Sequence, residues 1–94
     1  MNKFRVVLTD RAVNDLKDIP REARTQINEN LRGLEAKPFA SGIHIKRLRG
    51  FRPPVYRLRS GNFRVLYRIQ GDTVAILRVI DPKRLERIIK RLKI

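Results

Sequence analysis

Phe4, Val6 and Leu8 alternate with Lys3, Arg5 and Val7, which is the period of a short strand with one buried face. Thr9-Asp10 follows as a helix N-cap, and Val13, Leu16 and Ile19 then form an apolar stripe on a short helix. Pro20 suits the first turn of a second helix, because its missing N–H would be unpaired there in any case. The stripe of that helix runs through Ala23, Ile27, Leu31 and Leu34, and Pro38 ends it. Glu22, Arg24, Glu29, Arg32 and Glu35 give its other side both signs of charge, the mark of a solvated face. The tight join at Pro20 predicts an antiparallel helix pair able to cover one face of a sheet.

From Ser41 to Pro54 the chain reads as a loop in which Leu48 plugs into the core while the cations around it face water. Three strands follow, Val55 to Arg59, Asn62 to Gln70 and Thr73 to Ile80, separated by Ser60-Gly61 and Gly71-Asp72, both suited to tight hairpin turns. Asp81-Pro82 opens a last helix with Leu85, Ile88, Ile89 and Leu92 at helical spacing. The predicted order is βααβββα, an α+β fold with an antiparallel meander, in one domain over residues 1–94. Repeats and interdomain linkers are absent from the pattern.

Composition then narrows the chemistry. Ninety-four residues with 41% apolar side chains build a single modest core. The absence of cysteine excludes a disulfide scaffold, a thiolate zinc site and a cysteine nucleophile. No apolar stretch is long enough for a signal peptide or a membrane span, so the expected location is the cytoplasm, with no membrane partner. Lys and Arg number 23 against 9 acidic residues, a net charge of +14. Residues 1–40 hold 8 basic and 6 acidic side chains, whereas residues 41–94 hold 15 and 3. Sixteen of the cations are arginine, suited to bidentate phosphate contact and base stacking, so nucleic acid is the leading ligand. A basic surface kept only for solubility is the competing explanation.

Register places the cations. With Ser60-Gly61 as a two-residue turn, Arg57 faces Arg64, Tyr56 faces Val65 and Leu58 faces Phe63. Tyr56, Leu58, Phe63, Val65, Tyr67 and Ile69 then point to the helices, and Arg57, Arg59, Arg64 and Arg68 to the opposite face. Like charges directly opposite on a sheet are destabilising, and a bound polyanion reverses that sign. Lys46, Arg47, Arg49 and Arg52 in the preceding loop, and Lys83 and Arg84 at the start of the last helix, are expected to extend this face into a basic bowl. Arg78 does not fit, since unbroken alternation sets it opposite Val65 among apolar groups. Either a bulge shifts the register or Arg78 lies at an edge.

A P-loop, a serine triad and an acidic metal site are all missing, so neither metal nor cofactor is expected. His44 in its basic loop reads as a surface residue. RNA permits hydrolytic chemistry without such constellations, because its 2′-hydroxyl can attack the adjacent phosphate while the protein aligns the strand and neutralises charge. Clustered arginines suit the second task. They are poor general bases, since guanidinium stays protonated.

The run Tyr56-Arg57-Leu58-Arg59-Ser60-Gly61-Asn62-Phe63-Arg64-Val65-Leu66-Tyr67, preceded by Lys46-Arg47-Leu48-Arg49-Gly50 and followed by Val79-Ile80-Asp81-Pro82-Lys83-Arg84, resembles the RelE/ParE toxin superfamily over nearly the whole chain. The resemblance implies the βααβββα fold and the toxin half of a type II toxin–antitoxin pair. Its RelE branch implies a ribosome-dependent mRNA endoribonuclease that leaves a 2′,3′-cyclic phosphate without metal. By that resemblance Arg57 and Arg59 stand where two basic residues, usually lysines, contact or activate the reacting hydroxyl. Arg64 matches the arginine at the scissile phosphate, and Arg84 the arginine that assists charge stabilisation or leaving-group protonation. The late catalytic tyrosine of the family has no counterpart, since residues 85–94 contain no Tyr. Lys83, Lys46 or Glu86, or the ribosome itself, are the alternatives for proton transfer. The ParE branch implies a DNA gyrase poison instead, and a non-catalytic nucleic-acid-binding homologue is the third reading. The expected partners are the ribosome, mRNA and an acidic antitoxin in a hetero-oligomer. Leu85, Ile88, Ile89 and Leu92 serve either as core or as the element an antitoxin helix replaces.

Overall fold

A computed structural model describes residues 4–39 and 44–92. Its elements are β1 (Arg5–Leu8), α1 (Asp10–Lys17), α2 (Arg21–Gly33), β2 (Ile45–Leu48), β3 (Val55–Ser60), β4 (Phe63–Gln70), β5 (Thr73–Ile80) and α3 (Pro82–Leu92). The α+β class stands, with one strand more than the pattern predicts. Ile45–Leu48 is not loop: it pairs antiparallel with β3, Lys46 opposite Arg57 and Leu48 opposite Val55. Ile45 and Leu48 are three residues apart, so strict alternation does not reveal the strand, and pairing to a preformed neighbour supplies the order that local pattern lacks. Ser41–Ile43, the first part of the expected loop, lies outside the described residues.

The five strands run β1-β5-β4-β3-β2, with β1 parallel to β5 and the other pairs antiparallel. Helices α1 and α2 cover one face over Ile27, Leu31, Leu34, Leu58, Val65, Tyr67, Val74 and Ile76. Helix α3 covers part of the other, where Ile88 packs with Phe51, Val55, Leu66 and Ile80, and Leu48, Leu85, Ile89 and Leu92 close around them. The sheet is therefore apolar on both faces, and its second face is only partly open for ligand.

Local chemistry fixes these elements. Thr9 Oγ1 accepts from the Ala12 N–H (3.2 Å) and caps α1. Ala12 is buried while Val13 is 42% exposed, which corrects the predicted stripe. Ala12, Leu16 and Ile19 form the core-facing row, and the small alanine lets α1 approach β5 closely. Helix α2 ends at Gly33 rather than at Pro38, whose carbonyl accepts a 2.7 Å bond from the buried Tyr67 hydroxyl. Burial, followed by the neighbouring Tyr56, raises the Tyr67 pKa strongly, and the two rings stack 5.5 Å apart.

Both hairpins turn through a glycine in the left-handed region followed by Asn or Asp: Gly61 (φ 57°) with Asn62, and Gly71 (φ 60°) with Asp72. The first turn is thus one residue later than predicted. Ser60 belongs to β3, buried, and donates to Asn30 Oδ1 at 2.6 Å. Arg59 now faces Arg64, and Arg57 faces Leu66. A two-residue slip in pairing leaves every side chain on its predicted face.

The Arg78 discrepancy resolves into a bulge. The β4–β5 register shifts between Leu66 and Tyr67, which sets Arg78 opposite Leu66 and Tyr67 opposite Ile76. Pairing with β1 stops at Ile76, so the free edge of β5 is completed by α1. Thr9 donates to the Leu77 carbonyl (3.1 Å), Asp15 accepts from the Val79 N–H (2.9 Å), and Arg78 grips the same carboxylate at 2.8 and 3.0 Å. The Asp15 hydrogen bond raises the Arg78 pKa against the opposing effect of burial.

Candidate nucleic-acid interface

Strand β3 brings Arg57 and Arg59 to one face two residues apart, and β4 sets Arg64 directly across from Arg59. Strand β2 adds Lys46 directly across from Arg57. Four cations thus share one face beside the apolar floor formed by Val55, Leu66 and Ile80. Desolvation first, then the charges of Arg59 and Arg57, lower the Arg64 pKa, although its guanidinium remains charged at any physiological pH. Arg64 Nη1 donates to the carbonyls of Phe63 (3.1 Å) and Gly61 (3.3 Å), which ties the side chain to the turn. Arg57 lies partly buried, with its Nε shut off from water and lacking an acceptor. Such an arrangement costs the free protein stability and presents several guanidiniums to one anion.

The remaining expected site residues separate into groups. Arg47, Arg49 and Arg52 line a cavity of about 650 Å³ with Leu48, Gly50 and Phe51 at the β2–β3 connection. Arg68 shares the face of Arg64 but lies four residues further along β4, about 13 Å away by strand rise, with buried Leu66 between them. It belongs to a different part of the sheet from the turn-end cluster. Arg84 enters from the first turn of α3, which begins two residues past Ile80, the cross-strand partner of Arg64. It lines a cleft with Arg11 and Arg87. Lys83 is exposed beside it. Leu85, Ile88, Ile89 and Leu92 all pack onto the sheet as core.

Among the candidates for proton transfer, Lys46 is the amine that shares the arginine face, whereas Glu86 pairs with Lys90 (3.8 Å) on the exposed side of α3. Both tyrosines are taken up by the core. His44 is exposed and supplies its carbonyl to the Arg59 N–H (2.7 Å). No three His, Asp or Glu side chains come together among the described residues.

Residues 6–91 match the sequence model of the ParE toxin of the type II toxin–antitoxin system parDE. The chain belongs to this toxin family. The toxin is also 38% identical over 83 residues to the Methanocaldococcus jannaschii protein named RelE1, covering 86% of its own length and 91% of that relative. The toxin RelE3 of the same organism is 28% identical over 82 residues, covering 85% and 92%. Among solved structures, the RelBE2 toxin–antitoxin complex of Mycobacterium tuberculosis contains a chain matched with a TM-score of 0.71 and 30% identity, over 84% of the toxin and 98% of that chain. The RelE–RelB complex of Pyrococcus horikoshii gives a TM-score of 0.75 at 24% identity, over 87% and 98%, a likeness of fold. The RelE/ParE superfamily, expected from the arginine-rich hairpin, is thereby established, and the fold is RelE-like.

Proposed function

We propose that this toxin is a ribosome-dependent mRNA endoribonuclease of the RelE type, acting through the substrate's own 2′-hydroxyl. The observation that carries this reading is the direct opposition of Arg59 and Arg64, with Arg57 and Lys46 on the same face. In the proposed step the 2′-oxygen attacks the adjacent phosphorus, the 5′-oxygen of the next nucleotide leaves, and a 2′,3′-cyclic phosphate results. Arg59 and Arg64 hold the non-bridging oxygens as charge builds on them, and Arg57 supports the attacking side. Arg84 stabilises charge at the leaving oxygen. Guanidinium cannot take the 2′ proton, and Lys46, in its neutral form, is the neighbouring group that can. The leaving oxygen must gain a proton from water, Lys83 or the ribosome.

The same physics supports an acidic antitoxin as partner in a hetero-oligomer, since a net charge of +14 favours a polyanionic surface. Two RelE neighbours, from Pyrococcus horikoshii and Methanococcus jannaschii, were solved as complexes with RelB. An antitoxin helix that displaced α3 would take over the sites of Leu85, Ile88, Ile89 and Leu92. Cytoplasmic action fits this reading, and no helix among the described residues is long and apolar enough to cross a membrane.

The test is primer-extension mapping of a defined mRNA incubated with the toxin, with and without ribosomes holding an empty A site. Cuts should require the ribosome, and Arg64→Ala should slow them about 10²- to 10³-fold. A second reading follows from the ParE identity of the matching family: the toxin poisons DNA gyrase by protein contacts. Growth arrest that persists unchanged in Arg64→Ala, without mRNA cuts, would favour it.

A further inference from the structure

Beyond Arg84, the cleft between α1 and α3 carries charge that the sheet-face site does not use. Arg84, Arg87 and Arg91 recur at i, i+3 and i+7, so they form one row along α3, and Arg11 of α1 lies across from them around a cavity of about 390 Å³. The cleft holds two carboxylates. Asp15 is already committed to Arg78 and to the Val79 N–H, which leaves Asp10 against four guanidiniums. None of Arg11, Arg84, Arg87 and Arg91 has an ion-pair partner among the described residues. The neighbouring edge of the same helix behaves differently, since Lys90 there faces Glu86 at i,i+4. A helix kept basic only for solubility would intersperse acids along both edges.

We propose that this cleft is a second phosphate-binding site, which anchors an RNA backbone segment distinct from the strand presented to Arg57, Arg59 and Arg64. The proposal rests on the RNA-directed reading of the toxin and adds a docking site to it. The lining favours a phosphodiester backbone over an acidic protein helix: Ile88 is its only apolar member and is buried, whereas helix recognition needs an open apolar groove beside the cations. Asn14 adds a neutral donor and acceptor to the same wall. Arg84 stands at the junction of the two sites, so an RNA fold gripped in the cleft would fix the protein's orientation while its sheet face engages the message. Phosphate contacts of this kind position a protein without reading sequence.

The test uses the full-length toxin and a short RNA hairpin, with Arg87→Gln/Arg91→Gln compared against wild type. Both positions are solvent-exposed, and glutamine keeps the helix. The slope of log affinity against log salt should fall by about 1.4 to 1.8, and affinity at 0.1 M salt should weaken about 25- to 60-fold, as expected for two lost phosphate contacts. Arg87→Lys/Arg91→Lys should restore the slope, because counterion release depends on charge. In ribosome-programmed cleavage the glutamine pair should raise KM and leave kcat unchanged, unlike Arg64→Ala. An unchanged salt slope overturns the proposal, as does an unchanged RNA slope with lost binding of an acidic helical peptide. If the slope falls as expected but wild-type toxin cuts no mRNA, the anchoring site stands and the nuclease reading alone fails.

Discussion

Replacing Arg59 by glutamine should make the toxin more stable and less active. Arg59 is exposed, its side chain makes no hydrogen bond among the described residues, and its backbone N–H bond to His44 survives the change. It stands directly opposite Arg64 and two residues from Arg57 on the same face. The like-charged cross-strand contact with Arg64 costs a few tenths to about 1 kcal/mol, so relieving it should stabilise the fold by about 0.3 to 1 kcal/mol. For a domain of this size that raises Tm by roughly 1 to 8 °C. Thermal unfolding followed by circular dichroism at 20 mM and 1 M salt supplies the assay. The gain should be largest at low salt and shrink at 1 M, where the screening length is about 3 Å. Introduced into an Arg64→Gln background, the same substitution should gain less, and the difference measures the pair. A neutral or destabilising Arg59→Gln at low salt, or a gain indifferent to salt, would refute the claim that the face is held under repulsion in the free protein.

The other expectations concern the frame that holds this face. Asp15→Ala should destabilise the fold by about 3 to 5 kcal/mol in chemical denaturation, because it strands the partly buried Arg78 and frees the Val79 N–H. Tyr67→Phe should cost about 1 to 2 kcal/mol by leaving the Pro38 carbonyl without its donor. The folded-state pKa of Tyr67 is raised above the ordinary 10.0, so only the unfolded state ionises it as pH climbs past that value. Its contribution is therefore complete below pH 10 and is lost above it. Wild type should lose stability between pH 9 and 11.5 more steeply than Tyr67→Phe, and identical slopes would count against this.

Much of the frame is legible in the chain because alternation fixes faces even where it misplaces pairs. The sequence pattern places the hairpin turn at Ser60-Gly61, yet the positive φ at Gly61 suits the first position of a Gly-Asn turn, as Gly71 does before Asp72. The resulting slip of two residues exchanges the partner of Arg64 from Arg57 to Arg59 and leaves all three on one face. Lys46 is expected on the basic face from a loop, but Ile45 and Leu48 break strict alternation, so its place on a strand opposite Arg57 depends on β3 being there first. Arg78 breaks the alternation of its strand, and the bulge explains it. Its partner Asp15 is 63 residues away in sequence and carries no local signal. The α1–α3 cleft was likewise hidden: Arg84, Arg87 and Arg91 show helical spacing, but Arg11 joins them only when α1 and α3 fold to the same cleft. The apolar stripe Leu85, Ile88, Ile89 and Leu92 was readable, and the structure adds the floor that it covers.

The central claim is that the opposed arginines serve a cleavage in which RNA supplies its own nucleophile. It is tested most directly by programming ribosomes with a message carrying a single 2′-deoxynucleotide immediately 5′ of a mapped cut. The account predicts that cleavage at that phosphate disappears while neighbouring sites persist, and that unmodified message yields 2′,3′-cyclic phosphate ends. Undiminished cutting at the deoxy position would contradict it, since a nucleophile other than the 2′-hydroxyl would then be at work.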